Sequence, residues 1–150
     1  VYLSDGMDQS KTTMPHQCRP AKSTESLFGF KAHVVGTVMY GAPQPLMGFI
    51  NTEDISQNSS LTVSNLNRAL KLQWDAGTKA ATPDKPFRWP SRLHVNFDNA
   101  VGENINRNVF LYLGALVHHG VFKRITVGTL IIGHTHNICD QLFSVWSRYL

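Results

Sequence analysis

Ten acidic residues are spread over this 150-residue chain, and three of them stand where elements of structure should begin or end. Asp5 follows "VYLS", Asp98 closes "LHVNF", and Asp140 comes early in the helical pattern "NICDQLFSVWSRYL". Carboxylates are hard oxygen donors. Several brought together hold divalent cations that stabilise the attacking and leaving oxygens of a phosphodiester displacement. Such chemistry needs rigid placement, and strand ends supply it. Asp8 is a further acid, in the polar segment just past Asp5, and is the weaker candidate. Taken singly, Asp5-Gly6 could be a plain turn and Asp98-Asn99 a cap on the next helix.

The stretch "LIIGHTHNICDQLFS", Leu130 to Ser144, adds two histidines at i, i+2. His134 and His136 admit three readings. They could face the acids and help proton transfer, as an imidazole near neutral pH can. They could bind zinc with His16, Cys18 and Cys139, although no ligand spacing here matches a known zinc module. They could also brace a tight turn made by Gly133. His118-His119, at a helix end, read as a solvated pair favoured by the helix dipole.

These residues need elements to hold them. "VYLSDGM" has strand periodicity running into a glycine, "KTTMPHQCRPAKSTES" reads as a loop, and "LFGFKAHVVGTVMYG" and "LMGFINTED" form a hairpin about "APQP". "SSLTVSNLNRALKLQW" spaces Leu61, Leu66, Leu70 and Trp74 as a helix, with Ser59 or Ser60 as its N-cap. "DAGTKAATPDKPFRWPSR" reads as a long loop, "LHVNFDN" as a strand, and "ENINRNVFLYLGALVHHGVF" as a helix through Ile105, Val109, Leu113, Leu116 and Val117. "ITVGTLIIG" has the continuous apolar pattern of a strand buried on both faces. The closing helix should turn Ile138, Leu142, Val145 and Trp146 inward. The order is strand, strand, strand, helix, strand, helix, strand, helix, which predicts an α/β domain with a five-stranded mixed sheet.

One domain accounts for the length, and no apolar run is long enough to span a membrane. Opening on a strand and stopping inside a helix, the chain reads as a fragment of a longer protein. Two distant cysteines suggest neither a disulfide scaffold nor a zinc ribbon and point to an intracellular setting. The formal charge of +4 is a mild bias toward nucleic acid. The long loop mixes Lys79, Lys85, Arg88, Trp89 and Arg92, a composition suited to phosphate contact and base stacking, though a solvated loop has the same composition. Nothing points to a small-molecule substrate.

Three motifs carry a resemblance over nearly the whole chain. "LSDGMDQSK" resembles the Asp-Gly on the first strand of ribonuclease H, "NFDNAVGEN" the Asp-Asn after the fourth strand of integrases and transposases, and "GHTHNICDQLFS" the histidine loop and last helix of ribonuclease H. Together they resemble an uncharacterised transposase-like domain family of eukaryotic mobile-element proteins, in the ribonuclease H-like superfamily. The resemblance implies a ribonuclease H-like fold in which the first and fourth strands are neighbours and the last helix crosses them. It implies Asp5, Asp98 and Asp140 as a DDE/D-type site for two Mg2+ or Mn2+ ions, with Asp8 accessory and His134 and His136 at the rim. Gln9, Lys11, Glu103, Asn104 and Gln141 would orient the ligands or contact DNA. The third acid is Asp where Glu is commoner. Ribonuclease H also carries an acid early on its first helix, whereas this chain has none between Ser56 and Gln73. That departure favours a transposase-like nuclease and strand-transfer core acting on DNA in the nucleus, with possible self-association. The rival expectations are a hydrolase of RNA–DNA hybrids and a domesticated, non-catalytic domain binding nucleic acid or protein.

Overall fold

The first strand, β1 (Tyr2–Gly6), sends Tyr2 into one core and Leu3 into another, so the sheet is covered on both faces. The computed structural model describes residues 1–7, 12–14, 30–52, 54–98, 100, 102–129 and 138–146. After β1 come β2 (Thr13–Met14), β3 (Phe30–Met39), β4 (Leu46–Thr52), α1 (Ser59–Lys79), β5 (Arg92–Phe97), α2 (Arg107–His118), β6 (Arg124–Thr129) and α3 (Ile138–Trp146). β3 pairs antiparallel with β1 on one edge and with β4 on the other, while β1 lies parallel to β5 and β5 parallel to β6. The path across the sheet is therefore β4, β3, β1, β5, β6. β2 pairs with the first residues of β3 on the edge that β1 occupies further along. The expected α/β domain with a mixed sheet and three helices is what the chain forms.

Tyr2, Met39, Met47, Phe49, Leu93, Val95 and Phe97 make the larger core with Leu66, Ala69 and Leu70 of α1, Val109 and Leu113 of α2, and Phe122. On the opposite face Leu3, Met7, Val34 and Val38 pack against Cys139 and Phe143 of α3. That helix seats on two glycines paired across strands, Gly36 of β3 and Gly48 of β4. A Cβ at Gly36 would lie 2.8 Å from the Phe143 ring, and one at Gly48 would lie 2.7 Å from Trp146. Only hydrogen at these positions lets both rings reach the sheet. No helix among the described residues is long and apolar enough to cross a membrane.

Several elements differ from the sequence pattern. Thr13 and Met14, inside the polar stretch read as loop, hydrogen-bond along β3, because backbone pairing does not require apolar side chains. α1 is capped by Asn58 rather than Ser59 or Ser60: its Oδ1 accepts from the N–H of Ser60 at 3.0 Å and of Leu61 at 3.2 Å. The helix also runs on to Lys79, since nothing from Asp75 to Lys79 breaks it, and this shortens the loop expected there. Trp74 is half exposed, and Asn65 and Gln73 share the buried stripe with Leu66, Ala69 and Leu70. α2 starts at Arg107 with Asn106 as its cap, leaving Ile105 outside and Val117 exposed. In α3, Cys139 and Phe143 are buried with Ile138, Leu142 and Trp146 beside them, while Val145 is turned outward. Among the described strands β6 is at the edge of the sheet, and its residues are exposed or only partly buried, so burial on both faces does not hold for Arg124–Thr129. An apolar run records affinity for a core, not how many neighbours the topology provides.

Candidate functional site

β1 and β5 are parallel neighbours in the register Tyr2–Val95 and Leu3–Asn96. The same register carried past Leu3 sets Asp5 level with Asp98, the residue directly after β5. Side chains alternate along a strand. Asp5 shares the parity of Leu3 and Met7, which pack toward α3, and Asp98 is opposite in parity to Phe97, which enters the other core. Alternation puts Asp5 on the α3 face, whereas Asp98, one residue past β5, is tied through Asn104 to Thr62 of α1; both stand at the carboxyl ends of parallel strands, where α/β sheets hold their ligands. Both line one cavity of about 290 Å³, together with Ser4, Glu103, Asn104 and the first two turns of α1 at Asn58, Thr62 and Asn65.

Hydrogen bonds fix the acids. Asp5 Oδ1 accepts from the N–H of Gly6 at 2.9 Å. Asp98 Oδ1 accepts from the N–H of Ala100 at 3.1 Å and from the side-chain amide of Asn104. Asn104 Oδ1 in turn accepts from the Thr62 hydroxyl at 3.0 Å, and the Asn108 amide donates to the Ser59 hydroxyl at 3.0 Å. These bonds tie the segment after β5 to the start of α1 and hold the cavity open between them. Asn106 accepts from the N–H groups of Asn108 and Val109 and donates to the carbonyls of Gly102 and Glu103. Glu103 is half-buried here. Its pKa is raised, first by burial and then by the Asp98 carboxylate, against a smaller opposing effect of His33. His33 contacts the Gln57 amide.

Asp140 lies in the first turn of α3. Cys139 beside it is buried, and its thiol points to the Gly36 carbonyl at 3.7 Å. Burial, then Asp5 and Asp140, push that thiol up to about 12, so both carboxylates stand close to it. Asp140 is not among the residues lining the cavity of Asp5 and Asp98. Among the described residues no three His, Cys, Asp or Glu side chains converge on one point as a ready metal cage. The thiol's inward direction also leaves Cys139 an unsuitable zinc ligand. His134, His136, Asp8, Gln9, Lys11, His16, Cys18 and Gly133 lie outside the described residues, and Gln141 is exposed on α3. His118 and His119 are exposed, as a solvated pair should be.

The basic-aromatic loop is elsewhere. Trp89 packs edge-on to Trp74 and Phe87 and lies tilted against Phe122, with ring centroids 5.6, 6.0 and 5.7 Å away. It is a strut of the fold rather than an open stacking platform. Arg88 and Arg92 are exposed beside it, around a second cavity of about 170 Å³, and Lys85 is exposed nearby. Arg92 opens β5 and Asp98 follows its end, so this loop is about 20 Å from the acids at ~3.3 Å per residue.

Sequence reasoning missed Asn65, Asn58 and Thr62. The available signal was Asn65 itself, a polar residue one turn from Leu61 and one from Ala69 on the inward stripe of α1. No curated protein and no solved structure matches the chain. A family model does match over residues 22–150, a span that holds Asp98, Glu103 and Asp140 but not Asp5. The chain belongs to the family described as Domain of unknown function (DUF7869).

Proposed function

We propose that this chain is the catalytic core of a divalent-metal-dependent, transposase-like nuclease and strand-transfer enzyme acting on DNA, with a ribonuclease H-like fold. One observation carries the reading: Asp5 and Asp98 stand at the carboxyl ends of neighbouring parallel strands and open into one cavity. The strand path, with an antiparallel first half, a parallel second half and α3 across β1 and β3, supports the fold assignment.

The donors fit a hard cation. Among the described residues of its wall the cavity offers carboxylate, hydroxyl and amide oxygens, with no thiolate or imidazole. Mg2+ and Mn2+ would be held by Asp5 and Asp98, since magnesium sites commonly use one or two carboxylates and complete their shell with water and substrate phosphate. Asp140, beside Asp5 through Cys139, is the third acid of the proposal. Bound there, the cations supply the Lewis acidity that stabilises a phosphodiester under attack by water or by a DNA 3′-hydroxyl. Asn104 holds Asp98 in one orientation. Glu103, whose carboxyl keeps its proton more readily than an exposed glutamate, can exchange a proton at the cavity wall. His134 and His136 belong at the rim of this site in the proposal, and the positive charge of the chain favours a polyanionic partner in the nucleus.

The test is Mn2+ binding and Mg2+-dependent cleavage by the full chain and by Asp5→Asn, Asp98→Asn and Asp140→Asn. The proposal expects binding and duplex DNA cleavage in the native chain, loss of both in the first two variants, and loss of cleavage in the third. Preference for RNA–DNA hybrids would shift the reading to a ribonuclease. A native chain that binds no Mn2+ would be a non-catalytic domain, and the proposal would fall.

A further inference from the structure

Asn65 is 4% exposed and lines the acid cavity, yet its side-chain amide makes no hydrogen bond with the rest of the described chain. An amide on an otherwise buried residue that faces a cavity and bonds to no neighbouring group is available to a ligand there, since binding need break no protein hydrogen bond. The neighbouring asparagines are all engaged: Asn58 caps α1, Asn104 bridges Thr62 and Asp98, and Asn106 caps α2. The cavity also has two unlike walls. Asp5, Asp98 and Glu103 form an acidic one, suited to cations. The start of α1 forms the other; its first turn has no acidic residue, and the positive end of its dipole favours an anion. A cation-binding wall facing an anion-favouring wall suits a phosphate ester with its divalent counterion. The volume, about 290 Å³, is at the lower end of ligand pockets, enough for one nucleotide-sized group and too small for a base pair.

From these features we infer that the cavity takes a single unstacked nucleotide, its phosphate between the acids and the start of α1 and its base edge on the Asn65 amide. This rests on the metal-dependent reading above and adds a specificity-determining residue to it. An amide presents a donor and an acceptor side by side, the pair that can meet a base edge in two hydrogen bonds. The nucleotide comes either as the frayed end of a strand or as a free mononucleotide.

The experiment uses the full chain with Mn2+ and compares the native protein with Asn65→Leu, which keeps the volume and removes both polar atoms, and with Asn65→Gln. Affinity is measured for deoxynucleoside 5′-monophosphates, for a short single-stranded oligonucleotide and for a blunt duplex, alongside Mn2+ affinity and the thermal midpoint without ligand. Asn65→Leu should bind Mn2+ as the native chain does and keep its thermal midpoint when empty. It should lose about tenfold in affinity for the single strand, the size of one or two lost hydrogen bonds. Asn65→Gln should recover part of this. Equal losses for mononucleotide and oligonucleotide assign the site to the nucleotide itself; loss for the oligonucleotide alone assigns it to a strand end. Unchanged single-strand and mononucleotide affinity in Asn65→Leu, with Mn2+ binding intact, overturns this inference alone. A lowered midpoint accompanied by weaker Mn2+ binding overturns it too, by making Asn65 a structural residue. Absence of Mn2+ binding in the native chain instead overturns the reading beneath it.

Discussion

Replacing Gly36 by alanine tests the seat of α3, on which the position of Asp140 depends. The new Cβ would lie 2.8 Å from Cε1 and 2.9 Å from Cζ of Phe143, whereas carbon atoms in good contact are about 3.5–4.0 Å apart. The ring would have to retreat by close to ~1 Å, but Phe143 is buried among Leu3, Val34, Val38 and Cys139. Overpacking of this kind costs about 1–3 kcal/mol. Alanine offsets about 0.5–1 kcal/mol of that, because glycine in a strand loses more backbone freedom on folding. The net expectation is a loss of about 1–2 kcal/mol, or roughly 2–8 °C in thermal midpoint for a chain of this length. Phe143→Leu removes the ring atoms that collide. In that background Gly36→Ala should be neutral or stabilising, and this reversal of sign measures the coupling of the two sites. Urea and thermal unfolding of the native chain, both single variants and the double variant suffice. If Gly36→Ala costs the same with and without the Phe143 ring, α3 does not rest on Gly36, and Asp140 loses its argued place beside Asp5.

Two further outcomes follow from the electrostatics. Glu103 has a raised pKa, so the folded chain binds its proton more tightly than the unfolded chain; that contribution is complete below the ordinary glutamate value of about 4.3 and is lost as pH rises through the raised value. Glu103→Gln lacks this loss, so its stability relative to the native chain should climb across that window in metal-free urea unfolding; a flat or falling difference contradicts the burial of Glu103 beside Asp98. Cys139, with its thiol pushed up to about 12, should resist iodoacetamide near pH ~8 in the folded chain and react on unfolding, read by mass spectrometry on its own peptide. Rapid labelling of the native chain would show that Cys139 is not sealed under α3.

Much of the fold was legible because side-chain period is a local property. The two-residue period marked β1, β3, β4 and β5, the 3.6-residue period marked all three helices, and the strand ends marked Asp5 and Asp98 as rigidly held acids. Asn65 was not legible as a member of the cavity that holds Glu103, because what joins them is the meeting of α1 with the segment after β5, held by Thr62, Asn104, Asn108 and Ser59 across about forty residues of chain. Trp89 and its arginines read as a nucleic-acid surface from composition alone; only packing against Trp74, Phe87 and Phe122 shows that the indole is a strut at the far end of the sheet. The same holds for β6, whose apolar pattern predicts burial on both faces, whereas Ile125 and Val127 are only partly buried against the larger core. Sequence by itself determined which residues want to be buried and which carry charge, since both are properties of the side chain. Tertiary structure alone decided which of them are neighbours, because that depends on the register of Tyr2 with Val95 and on two glycines where α3 could settle.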